Sequence, residues 1–109
     1  MDHKAVIILS EKETDRIKKY LDPERIDECL GEDETFVKTA SFPDGIEIDV
    51  KCCGVQYREG EDNSAWCEAV LFKNGSEAAC TGPEDDYFGE WEFDYKGDHY
   101  SVTVSDSAA

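Results

Sequence analysis

Ile46-Glu-Ile-Asp-Val-Lys-Cys52 sets an apolar side chain at every second position: Ile46, Ile48, Val50 and Cys52 alternate with Glu47, Asp49 and Lys51. Successive side chains of a strand point to opposite faces of a sheet, so this run reads as a strand with one face buried and one wet. The pattern extends in both directions. Upstream, Pro43-Asp44-Gly45 is a turn, and residues 36–42 read as the strand that precedes it. Downstream, 54–64 is a polar loop holding Glu59, Glu61 and Asp62, and 65–73 is another strand. Asn74-Gly75 is a strong hairpin signal, because both residue types tolerate positive φ. Residues 77–81 then return, and Gly82-Pro83-Glu84-Asp85-Asp86 breaks the pattern. Residues 88–95 and 99–104 make a last hairpin around Lys96-Gly97-Asp98, and 105–109 reads as a frayed tail.

Before Thr35 the period is helical. Ser10 followed by Glu13 is a capping box: the Ser10 hydroxyl accepts from the Glu13 amide while the Glu13 carboxylate reaches back. Ile17, Tyr20 and Leu21 recur at helical spacing, which predicts a helix from Glu11 to Tyr20. Asp22-Pro23 restarts the chain as N-cap and first helical residue of a second, short helix. Ile26, Cys29 and Leu30 are its apolar edge, and Gly31 ends it. The stretch from Lys4 to Leu9 reads as a short strand or an extended lead-in. Helices first and strands afterwards define an α+β class. The expectation is one domain over 1–109: short N-terminal helices (11–30) packed on an antiparallel meander of about six strands (35–104).

Twelve aromatic residues and a 39% hydrophobic content supply a core, which excludes disorder throughout. The formal net charge is −16, and it is unevenly spread. Residues 1–30 carry six Lys/Arg against eight Asp/Glu, whereas 31–109 carry five against nineteen. Such an excess costs stability through self-repulsion. It accounts for solubility, or it serves a basic partner. Direct binding to nucleic acid or to an anionic membrane is disfavoured. The five cysteines (Cys29, Cys52, Cys53, Cys67, Cys80) are odd in number and include a vicinal pair, a poor disulfide framework. The apolar run 5–9 is too short for a signal sequence or a membrane span. These features predict a reduced cytoplasmic protein with mostly buried thiols.

The sequence contains no pattern for catalysis, metal or cofactor. It has no C-x-x-C pair, and sequential Cys52 and Cys53 point to opposite faces of a strand. The acid-rich loops at 59–63 and 84–86 lack the alternation, central Gly and closing Glu of a calcium loop. Cys67 or Cys80 could meet His99, but nothing selects that pairing. G-x-S-x-G and HExxH are absent. The expectation is a non-enzymatic protein with no catalytic residue, no metal and no cofactor.

The most informative stretch for function is Phe88-Gly-Glu-Trp-Glu-Phe-Asp-Tyr95. Trp91, Phe93 and Tyr95 share one face, with Phe72, Ile46 and Ile48 as expected core neighbours. Glu90, Glu92 and Asp94 share the other, spaced roughly 6.6–6.8 Å apart. Glu47 and Asp49 repeat that spacing on another strand. If the strands are near each other, the carboxylates accumulate on one face and imitate a phosphate backbone in sign and step. The alternative is an ordinary solvated sheet face.

In size, charge, short N-terminal helices, and the segments Ala69-Val-Leu-Phe-Lys-Asn-Gly75 and Asp86-Tyr-Phe-Gly-Glu90, the chain resembles small acidic proteins of phages and mobile elements of gut-type Firmicutes. That resemblance implies a nucleic-acid mimic that inhibits CRISPR effectors or restriction enzymes. The chain departs from an extreme mimic at Lys12, Arg16, Lys18 and Lys19, which make the first helix mixed in charge. On this reading the partner is a basic nucleic-acid-binding protein such as a nuclease effector. The contact residues are Glu47, Asp49, Glu90, Glu92 and Asp94, flanked by Glu84, Asp85, Asp86 and the acids at 59–62. The competing reading is a general interaction or structural module. It would act through a sheet edge or Tyr57, Tyr87 and Tyr100, with homodimerisation as one route.

Overall fold

The computed structural model describes residues 2–22, 24–25, 35–55 and 64–106. Among them are one α-helix and seven strands: β1 (Asp2–Ile8), α1 (Glu11–Tyr20), β2 (Thr35–Ser41), β3 (Ile46–Val55), β4 (Ser64–Lys73), β5 (Ser76–Cys80), β6 (Gly89–Tyr95) and β7 (Asp98–Ser105). The chain is thus mixed, but mostly strand. The capping box starts α1 as the sequence predicts: Ser10 N–H donates to Glu13 Oε1 (3.0 Å) and Glu13 N–H to Ser10 Oγ (3.2 Å). Glu13 also pairs with Lys38 of β2, which holds its carboxyl below the usual range and ties the helix to the sheet. The expected second helix falls largely outside the described residues. Within them, Asp22 Oδ1 accepts from Glu24 N–H at 2.9 Å.

The single six-stranded meander is corrected to two sheets. β2-β3-β4-β5 is the antiparallel meander, and β1-β7-β6 is a separate three-stranded sheet. The stretch from Lys4 to Leu9, read as a short strand or an extended lead-in, falls largely in the seventh strand, β1. β1 pairs parallel with β7, Asp2 opposite His99 through Ile8 opposite Ser105. Leu9 N–H carries the pairing one step further, to Ser105 O at 3.0 Å. Ser105 is therefore strand rather than tail, and Asp106 pairs with Lys18 of α1 at 3.7 Å. Parallel partners so far apart in sequence leave no turn signal between them, so local pattern cannot announce them.

The inner faces of both sheets meet in one core with the apolar side of α1. It contains Phe36, Ile48, Val50 and Leu71 from one sheet, Trp91, Phe93, Val102 and Val104 from the other, and Ile17 and Tyr20 from the helix. Phe72 lies outside this core: in register with Glu47, it belongs to the opposite face of the four-stranded sheet, with Trp66 and Val70. Tyr87 joins the layers. Its ring packs edge-on to Phe36 of β2 (5.7 Å between centroids), and its buried hydroxyl donates to Val50 O of β3 at 2.7 Å. From the start of the next strand, Trp91 Nε1 donates back to Tyr87 O at 3.1 Å.

The turns hold the ends. Asn74 (φ 50) and Gly75 (φ 82) make the expected two-residue hairpin, and Lys96 (φ 50) with Gly97 (φ 85) makes another, tighter than the sequence suggests. Gly45 (φ 76) is pressed against the first of these. Its carbonyl accepts from Asn74 N–H at 2.8 Å, and a Cβ there would lie 2.0 Å from Asn74 Oδ1. A side chain there would have to displace the Asn74 amide and adopt a positive φ that glycine alone takes without strain.

Replacing Tyr87 with Phe keeps the ring on Phe36 but leaves a buried Val50 carbonyl lone pair without its donor. Urea denaturation is expected to show a loss of about 1–2 kcal/mol with an unchanged denaturant slope.

Candidate functional site

The eight carboxylates singled out from the sequence do not form one surface. Glu47 and Asp49 alternate with core residues of β3, and Glu90, Glu92 and Asp94 with core residues of β6. Each row therefore turns away from the shared core, on a different sheet. The β3 row is diluted as well. Asp49 accepts from Thr39 Oγ1 at 2.6 Å, directly across the ladder, and the next position is a Lys51–Glu68 ion pair at 3.3 Å.

What the fold does assemble is a groove along β6. Glu90 and Glu92 of that strand meet Glu84 and Asp86 of the preceding segment around an open cleft of about 390 Å³. Trp91, Phe88 and Thr81 complete the lining. The break at Gly82-Pro83 brings the acids there. Thr81 keeps contact with β4, its N–H donating to Ala69 O (3.0 Å) and its hydroxyl accepting from Ala69 N–H (3.1 Å). Gly82 (φ 81) and Pro83 then carry the chain out of the ladder. Glu84 rejoins β4 by an isolated bridge to Cys67, with backbone bonds of 2.9 and 2.7 Å. Asp86 Oδ1 accepts from Phe88 N–H (3.2 Å), which fixes the corner leading into β6. Among the described residues, no Lys or Arg pairs with Glu84, Asp85, Asp86 or Glu90. Asp85 is exposed on the same segment without lining the groove.

Asp94 belongs to a neighbouring cluster. The two-residue turn puts it directly opposite His99, whose Nδ1 lies 2.7 Å from Asp94 Oδ1 and whose Nε2 lies 3.3 Å from Glu92 Oε1. Asp2 of β1 is in register on the other side. The hydrogen bond to Asp94 raises the imidazole pKa above 6.5; desolvation opposes it, and the Asp94 charge and the contact with Glu92 add to the rise. Neither Cys67 nor Cys80 is brought to His99. Cys67 faces Cys52 in the core, and Cys80 donates to Glu68 Oε2 at 3.4 Å. Cys52 is buried while Cys53 points the other way, as their adjacency requires. His3, the other histidine, stacks on Tyr100 at 4.7 Å. Among the described residues, no three His, Cys, Asp or Glu side chains are gathered as a metal site would need. Of the polar loop expected over 54–64, Gly54 and Val55 belong to β3 and Ser64 to β4; the remaining positions, with Tyr57, Glu59, Glu61 and Asp62, lie outside the described residues. No described helix is long and apolar enough to cross a membrane.

Three groove residues were not singled out from the sequence as site residues: Thr81, Phe88 and Trp91. Trp91 read simply as core, and it is; its position on β6, the outer strand of its sheet, also lets it line the cleft.

The whole arrangement defines a mostly β, two-sheet domain with an acid-lined, aromatic-floored groove at a sheet edge. Compared with known proteins, the chain matches no family model, no curated protein and no solved structure.

Because the His99 pKa is raised in the folded state, its contribution to stability is fully present below pH 6.5 and is lost as pH rises through the folded value. An NMR titration is expected to place the imidazole above 6.5. Asp94→Asn should bring it down, whereas Glu47→Gln should leave it unmoved.

Proposed function

We propose that this protein acts by binding rather than by catalysis, and that its groove receives a basic surface of a nucleic-acid-binding partner. The observation that carries this reading is the convergence of Glu84, Asp86, Glu90 and Glu92 on one cleft. None of the first three is neutralised by a described Lys or Arg. Carboxylates left uncompensated beside a Trp and a Phe suit an Arg or Lys side chain: the acids take the charge, and the rings take the face of the guanidinium or the alkyl stem. A net charge of −16 would steer such a partner in and would repel nucleic acid itself. Occupation of a basic groove in place of nucleic acid, in the manner of an anti-CRISPR or anti-restriction inhibitor of the cytoplasm, is the specific form we favour. In that form the contact is made by the β6 side of the molecule and not by Glu47 and Asp49.

Affinity capture from a bacterial lysate, washed across a salt series, tests this. The expected result is a basic nuclease or DNA-binding protein that elutes steeply with rising salt, because association driven by opposite charge is screened. Glu84→Lys, Asp86→Lys and Glu90→Lys together should weaken capture by about a hundred-fold, and Glu47→Lys with Asp49→Lys should leave it nearly intact. A partner indifferent to salt, or equal loss in both variants, would overturn the assignment.

A second reading, a general interaction module, is favoured by one observation. Val6 and Ile8 of β1 are 65% and 68% exposed on the outer face of the three-stranded sheet. If that face pairs two copies, sedimentation will show a concentration-dependent dimer that Val6→Glu abolishes; a monomer at all concentrations removes this route.

A further inference from the structure

Cys52 and Cys67 stand directly opposite each other on β3 and β4, both fully buried and both free. The pairing geometry follows from the backbone. Cys67 N–H donates to Glu84 O, and Cys67 O accepts from Glu84 N–H. In an antiparallel strand the N–H and C=O of one residue point to the same side. Cys67 therefore has neither left for β3, and Cys52:Cys67 is a non-hydrogen-bonded pair. Such pairs bring Cα atoms to about 4.5 Å and side chains closest together. A disulfide needs Cα atoms about 4.4–6.8 Å apart. Both side chains lie on the buried face of the sheet, in the shared core.

We propose that Cys52 and Cys67 are a redox-active dithiol that closes to a cross-strand disulfide on oxidation by hydrogen peroxide. Cys52 is the attacking sulfur. The facing Cys67 and the nearby Arg16 charge favour its thiolate against the cost of burial, and Cys67, facing it, is held as the thiol. The Cys52 sulfur attacks one peroxide oxygen, the O–O bond breaks, and water leaves with the thiol proton. The Cys67 sulfur then attacks the resulting sulfenic acid. The S–S bond forms, the S–O bond breaks, and a second water leaves with the Cys67 proton. Two thiols lose two electrons and two protons, and one peroxide becomes two waters. The way in is the outer side of β4. There the backbone of Cys67 is held by the isolated two-bond bridge to Glu84, just past the break at Gly82-Pro83, and local opening of that bridge lets peroxide reach the buried face without unfolding the sheet.

The test oxidises the folded protein with hydrogen peroxide at neutral pH, in the natural chain and in a variant with Cys29, Cys53 and Cys80 replaced by Ser. Both substituted positions among the described residues, Cys53 and Cys80, lie outside the core. The expected result is a loss of two hydrogens from the variant's intact mass, a Cys52–Cys67 crosslink by peptide mapping in both proteins, and reversal by dithiothreitol. The urea midpoint should rise on oxidation and fall back on reduction. Gain of oxygen without a crosslink, an unmodified pair, or a Cys52–Cys53 bond in the natural chain would overturn the proposal. Mapping the natural chain in parallel keeps the outcome decisive if the triple variant folds poorly.

Discussion

A single buried hydroxyl holds the layers in place. Tyr87 lies on the segment between the sheets, and its O–H reaches Val50 O in the middle of β3 while its ring closes over Phe36. Burial without a partner would cost the phenol more than the hydrogen bond returns. The contact therefore fixes where the segment crosses as well as adding stability. Burial, with the adjoining thiols, keeps this phenol far above its ordinary pKa, so it is the donor at neutral pH. Everything after it depends on that position. Trp91 hangs from the Tyr87 carbonyl, β6 begins just after Phe88, and the acids before and after the crossing face each other only because the crossing is pinned.

The groove is consequently a product of topology more than of any strand. Glu84 and Asp86 arrive from the far edge of the four-stranded sheet, while Glu90 and Glu92 belong to the three-stranded one. Its acids are held by backbone pairing and turn geometry; Glu92 meets His99, while Glu84, Asp86 and Glu90 have no Lys or Arg partner among the described residues. Repulsion among them is a standing cost that Trp91, Phe88 and the bridge to β4 offset. A groove so arranged is electrostatically incomplete, whereas the β3 face has its charge partly settled by Lys51 and Thr39.

Much of the local structure was legible in the residues. The capping box placed α1 correctly because both of its hydrogen bonds are encoded within four positions. Alternation from Ile46 to Cys52, and Asn74-Gly75 after it, specified β3 and the β4–β5 hairpin for the same reason: strand faces and tight turns are set by neighbours. The division into two sheets was not legible. It depends on β1 meeting β7, a contact that no local period encodes, and on Tyr87, whose polar tip looked equally suited to a surface. The acidic row of β6 was visible, but its relation to β3 stayed open because sheet membership decides which faces coincide. The Asp94–His99 contact could have been found from the Lys96-Gly97 turn alone, since a two-residue turn forces those positions opposite each other.

The pairing of β1 with β7 also bears on how the chain is made. Asp2 meets His99, so the three-stranded sheet closes a loop spanning almost the whole sequence. Contacts of such high order are slow to form, because the entropy of closure is lost before the reward arrives. During synthesis β1 leaves the ribosome first and has no strand to pair with until the last hairpin follows it. Throughout that interval Val6 and Ile8 ride on an unpaired edge. The four-stranded meander, built from neighbours, has no such wait and can form first as the platform on which the terminal strand is later captured.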